Sequence, residues 1–128
     1  MTNEIRPTEG ELEILQILWK KGPSTVREIN DLLNDDQDKS IGYTTTLKIM
    51  QIMFEKGLVT RDDSSKTHIY MPAVTREKTQ KQIVGKMINT LFSGSSTELV
   101  MQALGNQKTS KEELDEIQKM LDNLRKEK

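Results

Sequence analysis

Gly42-Tyr43-Thr44-Thr45-Thr46-Leu47-Lys48-Ile49-Met50-Gln51-Ile52-Met53-Phe54-Glu55-Lys56-Gly57 is the stretch that decides how the rest of the chain is read. Tyr43, Leu47, Met50 and Phe54 recur at i, i+4, i+7 and i+11, which predicts one apolar helix face. Thr44, Lys48, Gln51 and Glu55 repeat that spacing one residue on and form a polar face beside it. Gly57 suits the left-handed residue that ends a helix. Two β-prone runs follow, Leu58-Val59-Thr60-Arg61 and Thr67-His68-Ile69-Tyr70-Met71, separated by the turn-formers Asp62-Asp63-Ser64-Ser65-Lys66.

Upstream, Thr8-Glu9-Gly10-Glu11 reads as a capping box, in which hydroxyl and carboxylate each satisfy a free N–H of the first turn. The helix it opens carries Leu12, Leu15, Leu18 and Trp19, and Gly22-Pro23 stops it. A second box, Thr25-Val26-Arg27-Glu28, opens a helix expected to bury Val26, Ile29, Leu32 and Leu33. It dissolves into Asn34-Asp35-Asp36-Gln37-Asp38-Lys39-Ser40. Helix, helix, helix, hairpin is the order of a winged helix-turn-helix.

Beyond Pro72 every signal is helical. Thr75 opens a long helix reaching Leu91-Phe92, with Ile83, Met87 and Leu91 on one face and Val84, Ile88 and Phe92 beside it. Ser93-Gly94-Ser95-Ser96 breaks it, and Ser95-Ser96-Thr97-Glu98 caps a short helix with Leu99, Val100, Ala103 and Leu104. Gly105-Asn106 ends that helix, and Ser110-Lys111-Glu112-Glu113 caps a last one carrying Leu114, Ile117, Leu121 and Leu124. The expected fold is mainly α with a small β-wing. Residues 1–74 form a winged helix-turn-helix, and a three-helix dimerisation domain follows at 75–128. Only 34% of residues are hydrophobic and 4% aromatic. Three apolar-faced helices in that short segment cannot hide those faces alone, so a second copy is expected to interlock with them.

Composition excludes several kinds of chemistry. The 128 residues include no Cys and one His, which removes disulfides, thiolate ligands and multi-His metal sites. A hydrolytic triad has no support. Asp36-Gln37-Asp38-Lys39-Ser40 begins like a calcium loop, but Ile41 and Leu47 stand where the required Gly and Glu should be. No apolar run approaches the roughly 18 residues of a membrane span, and the first seven residues lack a signal peptide's apolar stretch. The expectation is a cytoplasmic, non-enzymatic protein with no metal and no cofactor. The methionines, Met50, Met53, Met71, Met87, Met101 and Met120 among them, read as core filling.

The helix that opens at Tyr43 is the main functional candidate. A recognition helix sets its N-terminal residues on base edges in the major groove. Tyr43, Thr44, Thr45 and Lys48 occupy that end, where Thr can bond a base or touch a thymine methyl and Lys can reach guanine or phosphate. In the hairpin, Ser64, Ser65, Lys66 and Thr67 could bond phosphates, with Arg61 reaching the same backbone, whereas Asp62 and Asp63 would repel it. His68 reads as an outward-facing structural histidine of a strand. Net charge is −1, and residues 1–74 hold nine basic and twelve acidic groups, so any DNA contact must rest on a small surface. A protein-interaction module and a ligand-responsive regulator of the same fold stay open as alternatives.

Several motifs together resemble the penicillinase and methicillin-resistance repressor family. Glu11-Leu12-Glu13-Ile14-Leu15 with Leu18-Trp19 is similar to its first helix. Tyr43-Thr44-Thr45-Thr46-Leu47 and Glu55-Lys56-Gly57-Leu58-Val59 resemble its recognition helix and next strand. His68-Ile69-Tyr70-Met71-Pro72 and Glu112-Glu113-Leu114 resemble its second wing strand and last helix. The resemblance implies a homodimeric repressor on a two-fold symmetric, double-stranded operator. It also implies a membrane-spanning sensor protease that leads to a cut at an Asn-Phe pair in the dimerisation region. By alignment through Phe92-Ser93-Gly94 and Leu99-Val100, this chain has Gln102-Ala103 there, which implies a protease of different preference or another route of control. A copper-sensing branch uses C-terminal cysteines and is excluded. Lys48 and Ile52 stand where the family would lead one to expect Thr and Arg, so the operator cannot be borrowed.

Overall fold

The computed structural model describes residues 6–35, 40–106 and 108–127. Among them α1 (Glu9–Lys21), β1 (Ser24–Thr25), α2 (Val26–Asp35) and α3 (Tyr43–Lys56) come first. They are followed by β2 (Val59–Asp62), β3 (Ile69–Pro72), α4 (Arg76–Leu91), α5 (Ser96–Asn106) and α6 (Lys111–Lys126). The would-be calcium loop at 36–39 and the first five residues lie outside the described residues. No described helix is long and apolar enough to cross a membrane.

Local chemistry sets the helix ends. The Glu11 N–H donates to Thr8 Oγ1 at 3.2 Å, and the Thr8 N–H donates to Glu11 Oε1 at 2.8 Å. The same exchange joins Thr25 and Glu28, at 2.9 and 3.2 Å. Gly57 takes φ 82° at the end of α3, a conformation that favours glycine. Thr25 has a second role that the sequence pattern conceals. With Ser24 it forms β1, which pairs antiparallel with β3 through Ser24↔Tyr70 and Thr25↔Ile69. The sheet therefore has three strands in the order β1-β3-β2 rather than two. A two-residue strand has no periodicity to detect and exists only because β3 runs alongside.

The chain divides into two compact units, residues 1–83 and 84–128, and the division falls within α4. The first is a winged helix-turn-helix around one core. Ile14, Leu15 and Leu18 of α1 meet Val26, Ile29 and Leu33 of α2, Met50 and Met53 of α3, and Leu58, Val59 and Tyr70. Trp19 is half-buried, and its indole N–H donates to the Val74 carbonyl at 2.9 Å, tying the chain after β3 to α1.

Two expectations about this core need correction. The buried line of α3 is Thr46, Met50 and Met53, whereas Tyr43 and Phe54 stay 41% and 38% exposed. On α2, Leu32 is 40% exposed and Asn30 is buried in its stead. Asn30 and Thr46 meet there: Asn30 Nδ2 donates to Thr46 Oγ1 at 2.7 Å, so two polar side chains satisfy each other inside the core. A count of apolar residues cannot anticipate a matched polar pair.

In the second unit, α5 is capped by the Ser95 hydroxyl and α6 by a full box between Ser110 and Glu113. The break after α4 places Ser93 at φ 51° and Gly94 at φ 83°. None of the described residues of 84–128 is buried.

Candidate nucleic-acid interface

Thr44, Lys48 and Gln51 lie exposed along α3, as the polar-face spacing predicts, and Thr45 is exposed beside them. What holds that face in place is a hydrogen-bonded clasp at the entry to α3. Asn34 Oδ1 accepts from the Ile41 N–H at 2.6 Å, and its Nδ2 donates to the Ile41 carbonyl at 2.9 Å. Asn30 Nδ2 donates to the same carbonyl at 2.9 Å. Two asparagines one helical turn apart on α2 thus grip Ile41, two residues before the start of α3. By spacing alone Asn34 falls in a dissolving polar run, and Asn30 carries no motif. The available signal is Asn30 itself, which continues the Val26-Ile29-Leu33 line where a helix facing a core should carry an apolar residue.

The wing is ordered by its own acids. Asp62 Oδ1 accepts from the Ser64 N–H at 3.0 Å, and that bond holds the carboxyl below the usual carboxylate range. Ser65 donates its hydroxyl to the Thr67 carbonyl at 2.9 Å, while Lys66 is exposed. Arg61 is half-buried, with its guanidinium 4.1 Å from the Phe54 ring centroid and 3.9 Å from an Asp63 carboxylate oxygen.

A concave groove of about 460 Å³ opens between the start of α2 and the hairpin. Tyr43, Leu47 and Gln51 contribute from α3, Arg27 from α2, and Lys66 and His68 from the hairpin. Arg27 stacks at 5.0 Å over the Tyr43 ring, a contact with no sequence signature. His68 precedes β3 rather than sitting within it, and it is half-buried against this groove. Of the sequence candidates, Tyr43 and Lys66 meet here, whereas Thr44, Thr45 and Lys48 lie on the exposed stripe of the same helix.

Among the dimerisation candidates, Met87, Leu91, Leu114, Leu121 and Leu124 are exposed, with Leu91 at 71%. Ile83, Leu99 and Ile117 are half-buried. Gln102 and Ala103 are exposed within α5. Among the described residues, no group of three or more potential metal-ligating side chains occurs.

The family model described as penicillinase repressor matches residues 7–123. The chain belongs to that family. Family members that it resembles include the transcriptional regulator BlaI of Mycobacterium tuberculosis, 29% identical over 85 residues, or 64% of this chain. That match spans 58% of the length of the mycobacterial protein. The penicillinase repressor of Bacillus licheniformis is 20% identical over 116 residues, covering 90% of this chain and 88% of that protein. The methicillin resistance regulatory protein MecI of Staphylococcus aureus is 22% identical over 114 residues, covering 89% and 91%. These relatives are named as regulators and repressors, not as enzymes. Among solved structures, a point mutant of Lactococcus lactis ZitR is similar over 99% of this chain and 79% of that chain. Its TM-score is 0.42 at 22% identity, a loose overlay.

Proposed function

We propose that the chain is a sequence-specific transcriptional repressor that acts as a homodimer on a palindromic operator in the cytoplasm. The observation that carries this reading is the exposed polar stripe of α3, whose entry Asn30 and Asn34 clasp. Membership of a family whose relatives are named as repressors supports it. Residues 1–74 would serve as the DNA-binding domain and 75–128 as the dimerisation domain.

Thr44, Thr45 and Lys48 read base edges while Tyr43, Arg61, Ser65 and Lys66 contact the backbone. Two recognition helices about one turn of DNA apart, roughly 34 Å, engage two half-sites. Ile83, Met87, Leu91, Leu99, Leu114, Ile117, Leu121 and Leu124 meet their counterparts in the second copy. Linkage makes the second docking event intramolecular, so losing the dimer costs far more than losing half the contacts. Relief of repression by a membrane-spanning sensor protease fits this logic, since a cut at Gln102-Ala103 would dismantle the dimer without touching the DNA face. Both residues sit in helical backbone with no buried neighbour in α5, so local unwinding is what exposes the bond.

The test is selection of bound duplexes from a random pool by the purified protein at moderate salt. An inverted repeat with half-sites about one turn apart is the expected product. Recovery of nothing above background from folded, dimeric protein overturns the repressor reading and turns the search to a protein partner.

A further inference from the structure

We propose that the groove between the start of α2 and the hairpin seats the phosphate backbone of the bound duplex, with Arg27 and Lys66 as its cationic walls. This rests on the DNA-binding reading and extends it to a residue, Arg27, that carries no sequence motif of its own. The chain carries 20 acidic residues and a net charge of −1. Even so, among the described residues lining this groove none is Asp or Glu. Arg27 and Lys66 come from opposite sides and share the concavity with no carboxylate between them. Two like charges flanking one concave groove repel each other and raise the positive potential within it. An anion placed between them removes the repulsion and gains from the field.

Three nearby acids are engaged elsewhere. Glu28, next to Arg27 in sequence, accepts from Lys21 Nζ and from the Thr25 N–H, each at 2.9 Å. Asp62 accepts from Ser64, and Asp63 faces Arg61. Thr67 and His68 add hydrogen-bonding groups on the hairpin side. Stacking on Tyr43 limits the freedom of the Arg27 guanidinium before any ligand arrives, so less entropy is lost on binding. Tyr43 also fixes what the anion belongs to. It is the first residue of α3, adjacent in sequence to Thr44 and Thr45, so a backbone seated beside it belongs to the duplex those threonines read. The groove accounts for how a protein of balanced charge can hold a polyanion. A contact of this kind positions the duplex and carries no sequence information.

The experiment measures affinity against salt for the selected operator and for an unrelated duplex, using wild type, Arg27→Gln and Arg27→Lys. Arg27→Gln is expected to weaken binding to both duplexes by a similar factor and to flatten the log–log salt slope by about 0.9. Arg27→Lys should restore the slope, which a merely structural role for the Tyr43 stack would not do. An unchanged slope in folded, dimeric Arg27→Gln overturns the inference, as does a loss confined to the operator or a Lys variant that fails to rescue. Wild type that binds no duplex overturns the DNA-binding reading itself, whereas wild type that binds alongside an indifferent Arg27→Gln overturns only the groove.

Discussion

The two units of this chain use the same vocabulary of capped, amphipathic helices and arrive at opposite burial. In residues 1–83, α1, α2 and α3 converge with the sheet on one cluster, and side chains such as Ile14, Leu15 and Met50 lose all contact with water. In residues 84–128 the helices are as well capped, yet Leu91 and Met120 remain 71% and 63% exposed and no described residue is buried. Capping satisfies backbone N–H groups at helix ends, but it does nothing for an apolar stripe. The lesson is that the first unit closes its own core, while the second presents faces that a second copy is proposed to cover.

Breaking the proposed second half of that contrast should have the largest effect. Leu121→Asp is expected to yield monomers by sedimentation and to weaken operator binding by about 10²–10⁴-fold. A dimeric, fully binding Leu121→Asp would mean that the exposed stripe is not the interface. Breaking the first half should be read in stability instead. Leu15→Ala should lose about 2–5 kcal/mol by urea unfolding, because the fully buried site leaves a cavity. Protein concentration should not change that loss if the first unit closes its own core, whereas unfolding of the second unit should depend on concentration.

The polar pair in the core sharpens the comparison further. Asn30→Ala should destabilise by about 1–3 kcal/mol, since the Thr46 hydroxyl loses its donor and the Ile41 carbonyl keeps only the one from Asn34. Comparable stability to wild type would show that the pair is dispensable. Lys48→Ala tests function without touching either core, with an expected loss of about 1–3 kcal/mol for the operator and unchanged dimer mass. Gel shifts matching wild type would remove Lys48 from the reading face.

The smallest expected effect lies at the start of α2. The Thr25 backbone N–H, with Lys21 and the Thr25 hydroxyl, lowers the Glu28 pKa to about 2 from 4.5. A lowered folded-state pKa means the charged form stabilises the fold above pH 4.5, and that contribution fades as pH falls toward 2. Glu28→Gln should therefore be less stable than wild type at neutral pH, and the gap should close in acid. A gap independent of pH would show that the carboxylate charge contributes nothing.

Much of this architecture is legible in residues that act locally. The boxes at Thr8, Thr25 and Ser110, the stop at Gly57 and the breaker at Ser93-Gly94 each involve groups within a few positions of one another, so spacing reveals them. The polar face of α3 is equally visible. The line that α3 buries escapes the apolar spacing because it includes a polar residue, Thr46, whose hydroxyl is satisfied by Asn30, 16 residues away. β1 is invisible without its partner β3, and Arg27 is invisible because its stacking on Tyr43 crosses from one helix to another.

The sequence by itself therefore determined the helices, their ends, the winged arrangement and the polar face of α3, since periodicity and capping are properties of neighbours along the chain. Only tertiary structure decided which polar side chains could enter the core, how Ile41 is clasped before α3, and that Arg27 and Lys66 share a groove free of acids. Those outcomes depend on distances between residues far apart in sequence. No local pattern encodes them until the chain has folded.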